Sequence, residues 1–447
     1  MQTFKALAIG TAAALALAAC ANDSAKTGND PGSELNGAGK TINVLVQANT
    51  IYPQQQKQWF TDTSNAFKAQ TGAEVKFETF ASANDELTKI QTSVVSGQGP
   101  DIYSLGTTFT PTAYATGAFL ELQDADWNKV GGKANFVQAA LGISGPDAQH
   151  QVGIPFTSRP FVMAYNTELL KAAGIDKPAD TWDGLRDQAK RLTNGSTHGM
   201  AVAYADGFDP WKFIWAMSVQ AGNPLVAGKK ASLDDPATLK AYQTYLGWLA
   251  TDKVVDPAAV GWKNAQAIAE FGAGKAAFLP MVSATSKVTL DKSQVAGKYA
   301  YAVMPTVPPG ATSKPSNGVP ATSILSGDNL VVAKYTKNKD LALALVKLLT
   351  SAEQQKAYYK TFGELPTNAA AAKELQADPA LAAIVDSSSK SAGTPFNGGW
   401  SKVQLALLNV VVQSIPDLKA GKVDDGKLKS LVTAAQKDAQ SAVDEAK

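Results

Sequence analysis

The stretch VGIPFTSRPFVMAYNTELLKAAGIDKPADTW, Val152 to Trp182, constrains the fold of this chain more than any other. Phe161 to Tyr165 is an apolar run of strand length, and Asn166 directly after it is a favoured helix N-cap, because its side chain can accept from an orphan backbone N–H. A buried strand therefore feeds a helix. That helix is expected over Thr167 to Ala173, because Gly174 offers the left-handed position that closes it and Pro178 keeps the next segment extended. A second helix is expected from Trp182, capped by Thr181, with Asp183 in its first turn and Trp182, Leu185, Ala189 and Leu192 on one face. One strand followed by two helices is the grammar of an α/β domain.

The N-terminal third repeats that grammar. Thr41 to Val46 reads as a buried strand, and Pro53 opens a helix carrying Trp59, Phe60 and Phe67 that stops at Gly72. Glu74 to Phe80 alternates like a half-exposed strand. Asn84 to Ser96 is an amphipathic helix with Leu87, Ile90 and Val94, ended by Gly97, and Pro100-Asp101-Ile102-Tyr103 begins a third strand. This βαβαβ order predicts parallel strands joined by right-handed crossovers. The loops Gln47 to Tyr52 and Gly106 to Phe109 then share the edge where ligands of such sheets bind. At 447 residues the chain exceeds a single comfortable core, so two domains of about 200 residues are expected.

Ahead of these elements, Lys5 is followed by an uncharged run from Ala6 to Ala19, the length of a signal-peptide core and too short to span a bilayer. It ends Leu17-Ala18-Ala19-Cys20, which resembles a bacterial lipobox. The alternative is an ordinary secretion signal with an incidental cysteine. Cys20 is the only cysteine, so the fold cannot use an intrachain disulfide. Residues 21–40 are rich in Gly, Asn, Asp and Ser with almost nothing to bury, as expected of a flexible tether with an r.m.s. reach of roughly 25 Å.

Several chemistries are not written in the sequence. Lys+Arg 41 against Asp+Glu 39 gives a net charge of +2, without the basic excess of a nucleic-acid binder. The two histidines, His150 and His198, are not in an H-E-x-x-H context, and both read as surface or loop residues. No G-x-S-x-G elbow is present, and no G-x-G-x-x-G follows a strand. Gly272-Ala273-Gly274-Lys275 invites a phosphate-loop reading, which fails because Ala276 stands where a Ser or Thr must hold the magnesium ion. No catalytic residue, metal or cofactor is therefore expected. A glycosidase needs only two carboxylates meeting in space, so a secreted glycan-active enzyme stays open as an alternative.

Four groups of residues carry a common resemblance. They are Pro155 with Tyr165-Asn166, Leu169-Leu170, Gly174-Ile175, Pro178 and Thr181-Trp182; GQGPDIYSL followed by GAFLELQD; the F-x-x-G-K-A-A pattern within Glu270 to Phe278; and Gly363-Glu364-Leu365-Pro366. Together these resemble the family 1 extracellular solute-binding proteins of ABC transporters, the maltose-binding-like group, over about residues 40 to 447. The resemblance implies an α/β, periplasmic-binding-protein-like (type II) clamshell of two lobes. Each lobe would be a mixed, mostly parallel sheet flanked by helices, with the ligand cleft between them. Residues 1–20 would be the signal peptide and 21–40 the tether. Residues 41–155 and 328–370 would form lobe 1, and 156–327 and 371–447 lobe 2. Crossings are expected near Pro155 to Arg159, Ser326 to Asn329 and Pro366 to Leu375.

The implied function is capture of a carbohydrate outside the membrane by a monomer held there through lipid on Cys20, with delivery to an ABC permease. The same fold binding a non-sugar solute is the other alternative. A sugar presents hydroxyls and an apolar C–H face, so its site needs fixed polar groups and aromatic rings. The candidates at the cleft edge are Asn49, Tyr52, Thr107, Thr108, Arg159, Asp206, Asp209, Trp211, Asn329 and Trp400. Trp211 and Trp400 open helices and have the core as their alternative, although the resemblance puts a stacking aromatic at Trp400. Asp206 and Asp209 could be turn residues or caps, and Arg159 a structural pair across the hinge. Oligosaccharide-binding relatives often carry a Trp soon after the G-K-A-A strand, where this chain runs Leu279-Pro280-Met281-Val282. A mono- or disaccharide, or a linear glycan with fewer stacked rings, fits that departure.

Overall fold

A computed structural model describes residues 35–375 and 381–446, so the leader, Cys20 and most of the tether lie outside the described residues. The strands are β1 (Thr41–Gln47), β2 (Glu74–Phe80), β3 (Ile102–Gly106), β4 (Ile154–Ser158), β5 (Phe161–Asn166), β6 (His198–Met200), β7 (Val226–Ala227), β8 (Lys230–Ala231), β9 (Ala276–Ser283), β10 (Tyr299–Ala302), β11 (Gly327–Val332) and β12 (Leu365–Pro366). They form one sheet in the order β12-β4-β11-β3-β1-β2, a second in the order β10-β5-β9-β6, and the small pair β7-β8.

The βαβαβ opening folds as its alternation requires. β1 runs parallel to β2, from Thr41 opposite Glu74 to Gln47 opposite Phe80, and parallel to β3 on its other side. The helix Pro53–Thr71 connects the first two strands and ends on Gly72 at φ +76°, which a Cβ-bearing residue would resist. Helix Ala83–Ser96 makes the next connection, with Ser82 Oγ accepting from Asp85 N at 3.1 Å. The other caps also follow from the sequence. Asn166 Oδ1 accepts from Glu168 N and Leu169 N, both at 3.1 Å, and Thr181 Oγ1 accepts from Gly184 N at 3.0 Å.

The sheets carry a larger antiparallel share than expected. β11 pairs antiparallel with both β3 and β4, β12 with β4, and β5 with both β9 and β10, while β6–β9 is parallel. The reason is the path of the chain. It leaves the first sheet at the end of β4, passes through Arg159-Pro160 into β5 of the second sheet, and returns in β11 running the other way. Parallel pairing survives where a helix carries the chain back over its own sheet.

Two local departures shape the edge of the second sheet. Met200 to Tyr204 is an apolar run of strand length in the sequence, yet its pairing ends at Met200. Beyond it, Ala201 N donates to Phe278 O, Tyr204 N to Ala259 O and Ala205 N to Trp262 O, so the backbone leaves the sheet while its donors stay satisfied. In β9 the pairing with β5 shifts between Val162 and Ala164, across Pro280 and Met281. Pro280 has no N–H to give a central strand and is tolerated at this bulge, where Met281 takes φ +55°.

Each sheet has its own packing. Ile42, Val44, Ile102, Ile154 and Leu330 of the first sheet bury against Leu341, Leu345 and Leu349 of the helix Lys339–Leu349. Behind the second sheet, Trp182, Phe213, Tyr245 and Trp248 form a buried aromatic cluster, the Trp182 and Trp248 rings stacked with centroids 5.8 Å apart. Trp182 Nε1 donates to Gln220 Oε1 at 2.7 Å, and Gln220 Nε2 in turn donates to Pro305 O and Ala321 O, both at 2.8 Å. No helix among the described residues is long and apolar enough to cross a membrane.

Trp400 belongs to this packing, which corrects the expectation that its indole faces a cleft. It opens the helix Trp400–Lys419, is 0% exposed, and lies edge-on to Trp211 with centroids 6.1 Å apart. The C-terminal helix Asp425–Glu445 fixes that orientation by covering the start of its partner. A Cβ on Gly399 would fall 2.3 Å from Ala442 O, so only glycine permits the approach that turns Trp400 inward beside Val403 and Leu407. Trp400→Ala is accordingly expected to lower the free energy of unfolding by roughly 3 to 5 kcal/mol in denaturant titrations, with solute affinity kept in the folded fraction. Unchanged stability with lost affinity would return Trp400 to the binding site.

Candidate functional site

A cavity of about 300 Å³ lies between the two sheets, lined from both sides. The first sheet contributes the loops after β1, β2 and β3, together with Arg159, Asp328 and Glu364. The second contributes Asp206 to Phe213 and the bulged part of β9. The carboxyl ends of the parallel strands thus face the cavity, as the crossover rule requires.

Seven of the ten expected residues line it: Asn49, Tyr52, Thr108, Arg159, Asp206, Asp209 and Trp211. Asn49 Oδ1 accepts from Ile51 N at 3.0 Å and Tyr52 N at 2.8 Å, which folds the loop after β1 into a tight turn. That turn places Tyr52, whose hydroxyl donates to Thr285 O at 2.5 Å and lies 3.0 Å from Thr289 Oγ1, tying the first sheet's loop to the chain beyond β9. Burial pushes the Tyr52 pKa up, so the hydroxyl keeps its proton for that contact.

Asp206 and Asp209 organise their own loop. Asp206 Oδ1 accepts from Phe208 N at 2.9 Å and Asp209 N at 3.1 Å, and its Oδ2 from Asn264 N at 3.2 Å. Burial and then the charge of Asp209 raise its pKa. Asp209 holds Lys212 through one oxygen and Asn264 Nδ2 through the other, and the Lys212 ammonium stands 4.2 Å from the centroid of the Phe161 ring. Asp206 therefore holds the turn and the first residue of the helix Asn264–Gly272, and Asp209 holds the Lys212 ammonium and the Asn264 side chain.

Arg159 is the most connected group. Its Nε donates to Glu364 Oε1 at 2.8 Å and its Nη2 to Asp328 Oδ2 at 2.8 Å, while Thr157 Oγ1 donates to the same Asp328 oxygen at 3.2 Å. Burial alone would lower the Arg159 pKa, but the charges of Asp328 and Glu364 outweigh it and raise it. Glu364 itself is pushed up by burial despite Arg159. Two carboxyl groups thus share one guanidinium beside the cavity.

The other three candidates sit elsewhere. Thr107 is buried, with its hydroxyl 3.4 Å from Leu325 O. Asn329 is 1% exposed and donates through Nδ2 to Thr110 Oγ1 at 2.9 Å and Ile143 O at 3.1 Å, and a Cβ on Gly153 would fall 2.8 Å from it. It braces a loop on the first sheet instead of reaching the solute, because its strand position points away from the cavity. Trp400 supports Trp211 from behind.

Sequence reasoning missed Glu86 and several aromatic rings that line the cavity, among them Trp59, Phe156 and Tyr358. Trp59 and Tyr358 meet edge-on at 5.2 Å, and Phe156 lies 5.1 Å from Tyr358. Trp59 reads as one more apolar residue of an amphipathic helix, and nothing local marks it as facing a cavity. His198 was expected at the surface, yet it stands with Asp256 and Glu270, their potential ligand atoms within 4.8 Å of one another, outside the cavity. Residues 198, 256 and 270 are too far apart in sequence for spacing to reveal the cluster.

Comparison with known proteins agrees with this geometry. Maltose-bound MalE3 of T. maritima superposes with a TM-score of 0.73 at 18% identity, covering 89% of this chain and 99% of that one. A solute-binding protein of Agrobacterium radiobacter K84 in complex with ribitol gives 0.74 at 20% identity, covering 91% and 99%. The fold is thus the two-lobed α/β fold of these binding proteins. DasA, the diacetylchitobiose binding protein of Streptomyces coelicolor, is 26% identical over 409 residues, 89% of each chain. Residues 62–383 match the family described as bacterial extracellular solute-binding protein, and the chain belongs to that family.

Proposed function

We propose that this protein is the substrate-binding component of an ABC import system, capturing a neutral mono- or disaccharide outside the membrane and delivering it to a permease. The observation that carries the reading is the cavity itself: about 300 Å³, with the Trp59, Phe156 and Tyr358 rings beside Arg159, Asp206 and Asn49. Ligand pockets run from about 300 to 1,000 Å³, so this one suits a small solute, and rings next to planar polar groups match the two faces of a sugar. Relatives and neighbours that bind diacetylchitobiose, maltose and ribitol point the same way.

In this reading the two sheets carry two lobes that close around the solute; β4 (Ile154–Ser158) and β11 (Gly327–Val332) belong to the first sheet, so the bounds expected at 155 and 328 move to the Arg159-Pro160 crossing and to Gly327. The Tyr52 contacts to Thr285 and Thr289 are the latch, because they join groups on opposite sides of the cavity. The protein works as a monomer. Cys20 carries the lipid that holds it at the outer face of the cell membrane.

A thermal-shift screen over sugars, polyols, amino acids, polyamines and phosphates tests the ligand class. A carbohydrate at about 100 times its dissociation constant should add roughly 2.7 kcal/mol of stability, and stabilisation by amino acids or polyamines alone would select the same fold with another solute. Release of reducing sugar from a stabilising glycan would mark an enzyme. For the anchor, Cys20→Ala should release the protein from the membrane fraction, since one acyl-modified residue is the whole attachment. Retention of the variant after a salt wash would contradict it.

A further inference from the structure

Among the described residues two side-chain oxygens of the cavity lining, Gln404 Oε1 and Glu86 Oε1, are buried without a hydrogen-bond partner, and of the two groups only Glu86 is acidic. It sits in the first turn of helix Ala83–Ser96 and is 2% exposed, and its Oε1 is buried without a hydrogen-bond partner. The Asp328 carboxyl group and the backbone N–H of Gly106 are its electrostatic neighbours. A helix first turn welcomes an acid, but on its solvent side; a buried carboxyl with one idle oxygen beside another carboxylate weakens the fold. Burial, followed by Asp328, pushes its pKa well up. Such groups persist where a ligand completes them.

The cations of the cavity sharpen what that ligand can be. Arg159 is shared between Asp328 and Glu364, and Lys212 is held by Asp209 over the Phe161 ring. Lys263, the remaining cation of the lining, is exposed. Among the described residues no buried cation of the cavity is free to meet a phosphate or carboxylate, whereas Glu86 offers a lone pair and, when protonated, a donor. A hydroxyl group satisfies both, since it donates and accepts. An anionic group would enter a cavity lined by five acidic side chains, Glu86, Asp206, Asp209, Asp328 and Glu364, against the three cations Arg159, Lys212 and Lys263.

We propose that Glu86 is a solute-binding residue of the first lobe, that its free carboxyl oxygen receives a hydroxyl of the bound solute, and that it selects neutral polyhydroxylated solutes against phosphorylated or carboxylated ones. This rests on the carbohydrate reading of the same cavity. It adds the group that separates neutral from anionic candidates.

Calorimetric titration of the wild type, Glu86→Gln and Glu86→Met against diacetylchitobiose, maltose, tagatose, ribitol and sn-glycerol-3-phosphate tests it. At least one neutral probe should bind the wild type, and sn-glycerol-3-phosphate should not. Glu86→Met should weaken the neutral probe by about 5- to 150-fold, the cost of leaving a ligand hydroxyl unpaired. Glu86→Gln, which keeps a hydrogen-bonding end, should weaken it less. Both variants should melt at or above the wild-type temperature without solute, because an uncompensated buried carboxyl has gone. Unchanged affinity in Glu86→Met overturns the assignment, as does a lowered melting temperature in both variants with affinity retained. Binding of sn-glycerol-3-phosphate by the wild type overturns the selectivity. If no neutral probe binds at all, the carbohydrate reading falls and takes this inference with it, a result distinct from binding that ignores Glu86.

Discussion

The Arg159 guanidinium, clamped between Glu364 and Asp328, is the interaction on which the rest of the architecture depends. It stands where the chain leaves the first sheet for the second, and its partners come from the start of β11 and from the turn before β12. The crossing is pinned a second time by Arg159 N, which donates to Ser326 O at 2.8 Å. Three stretches of chain far apart in sequence are thereby fixed at one point. Desolvating three charges is costly, and only the good geometry and the extra hydrogen bond from Thr157 make it sustainable. The arrangement gives orientation more than stability: it sets the floor of the cavity and fixes the angle from which β5 enters the second sheet.

From that floor the binding chemistry follows. Aromatic rings approach from the helices Pro53–Thr71 and Ala352–Phe362, while the Asp206 to Asp209 turn descends from the second sheet. A Cβ on Gly207 would lie 3.5 Å from Ser82 Cβ, so the two sides meet closely here as well as at Tyr52. Excluding water from a small cavity of this kind strengthens each hydrogen bond to the solute and raises the penalty for a mismatched charge. The excess of carboxyl groups in the lining is therefore a specificity device as much as a set of contacts.

Much of the fold was legible in the sequence because its signals are local. Asn166, Thr181 and Gly174 act within a few residues of themselves, and β1, β2 and β3 with their two helices follow from apolar patterning together with the start and stop signals Pro53, Gly72 and Gly97. The bulge at Pro280-Met281 and the early end of β6 were not visible, because each depends on which strand lies alongside. The site was half legible for the same reason. Loop residues such as Asn49 and Tyr52 are carried to the cavity by strand order, so the crossover rule finds them. Trp59, Glu86 and Trp400 lie on helices, and which face a helix turns to the cavity is decided by the other lobe and by the C-terminal helix packed on Gly399. Trp211 and Trp400 look alike in sequence, and only the packing of one behind the other assigns them.

Equilibrium unfolding of Arg159→Met against the wild type, measured between about pH 5 and about pH 8, tests the central claim most directly. Glu364 has a folded pKa raised above its unfolded value, so its contribution to stability is present at low pH and is lost as pH rises; without Arg159 that rise is larger. The account predicts a loss of roughly 3 to 5 kcal/mol at the upper end of the range, because two buried carboxylates are left without their cation, shrinking toward the lower end as Glu364 takes up a proton. A small loss that does not change with pH would contradict it, since the triad would then be an ornament on a crossing held in place by other contacts.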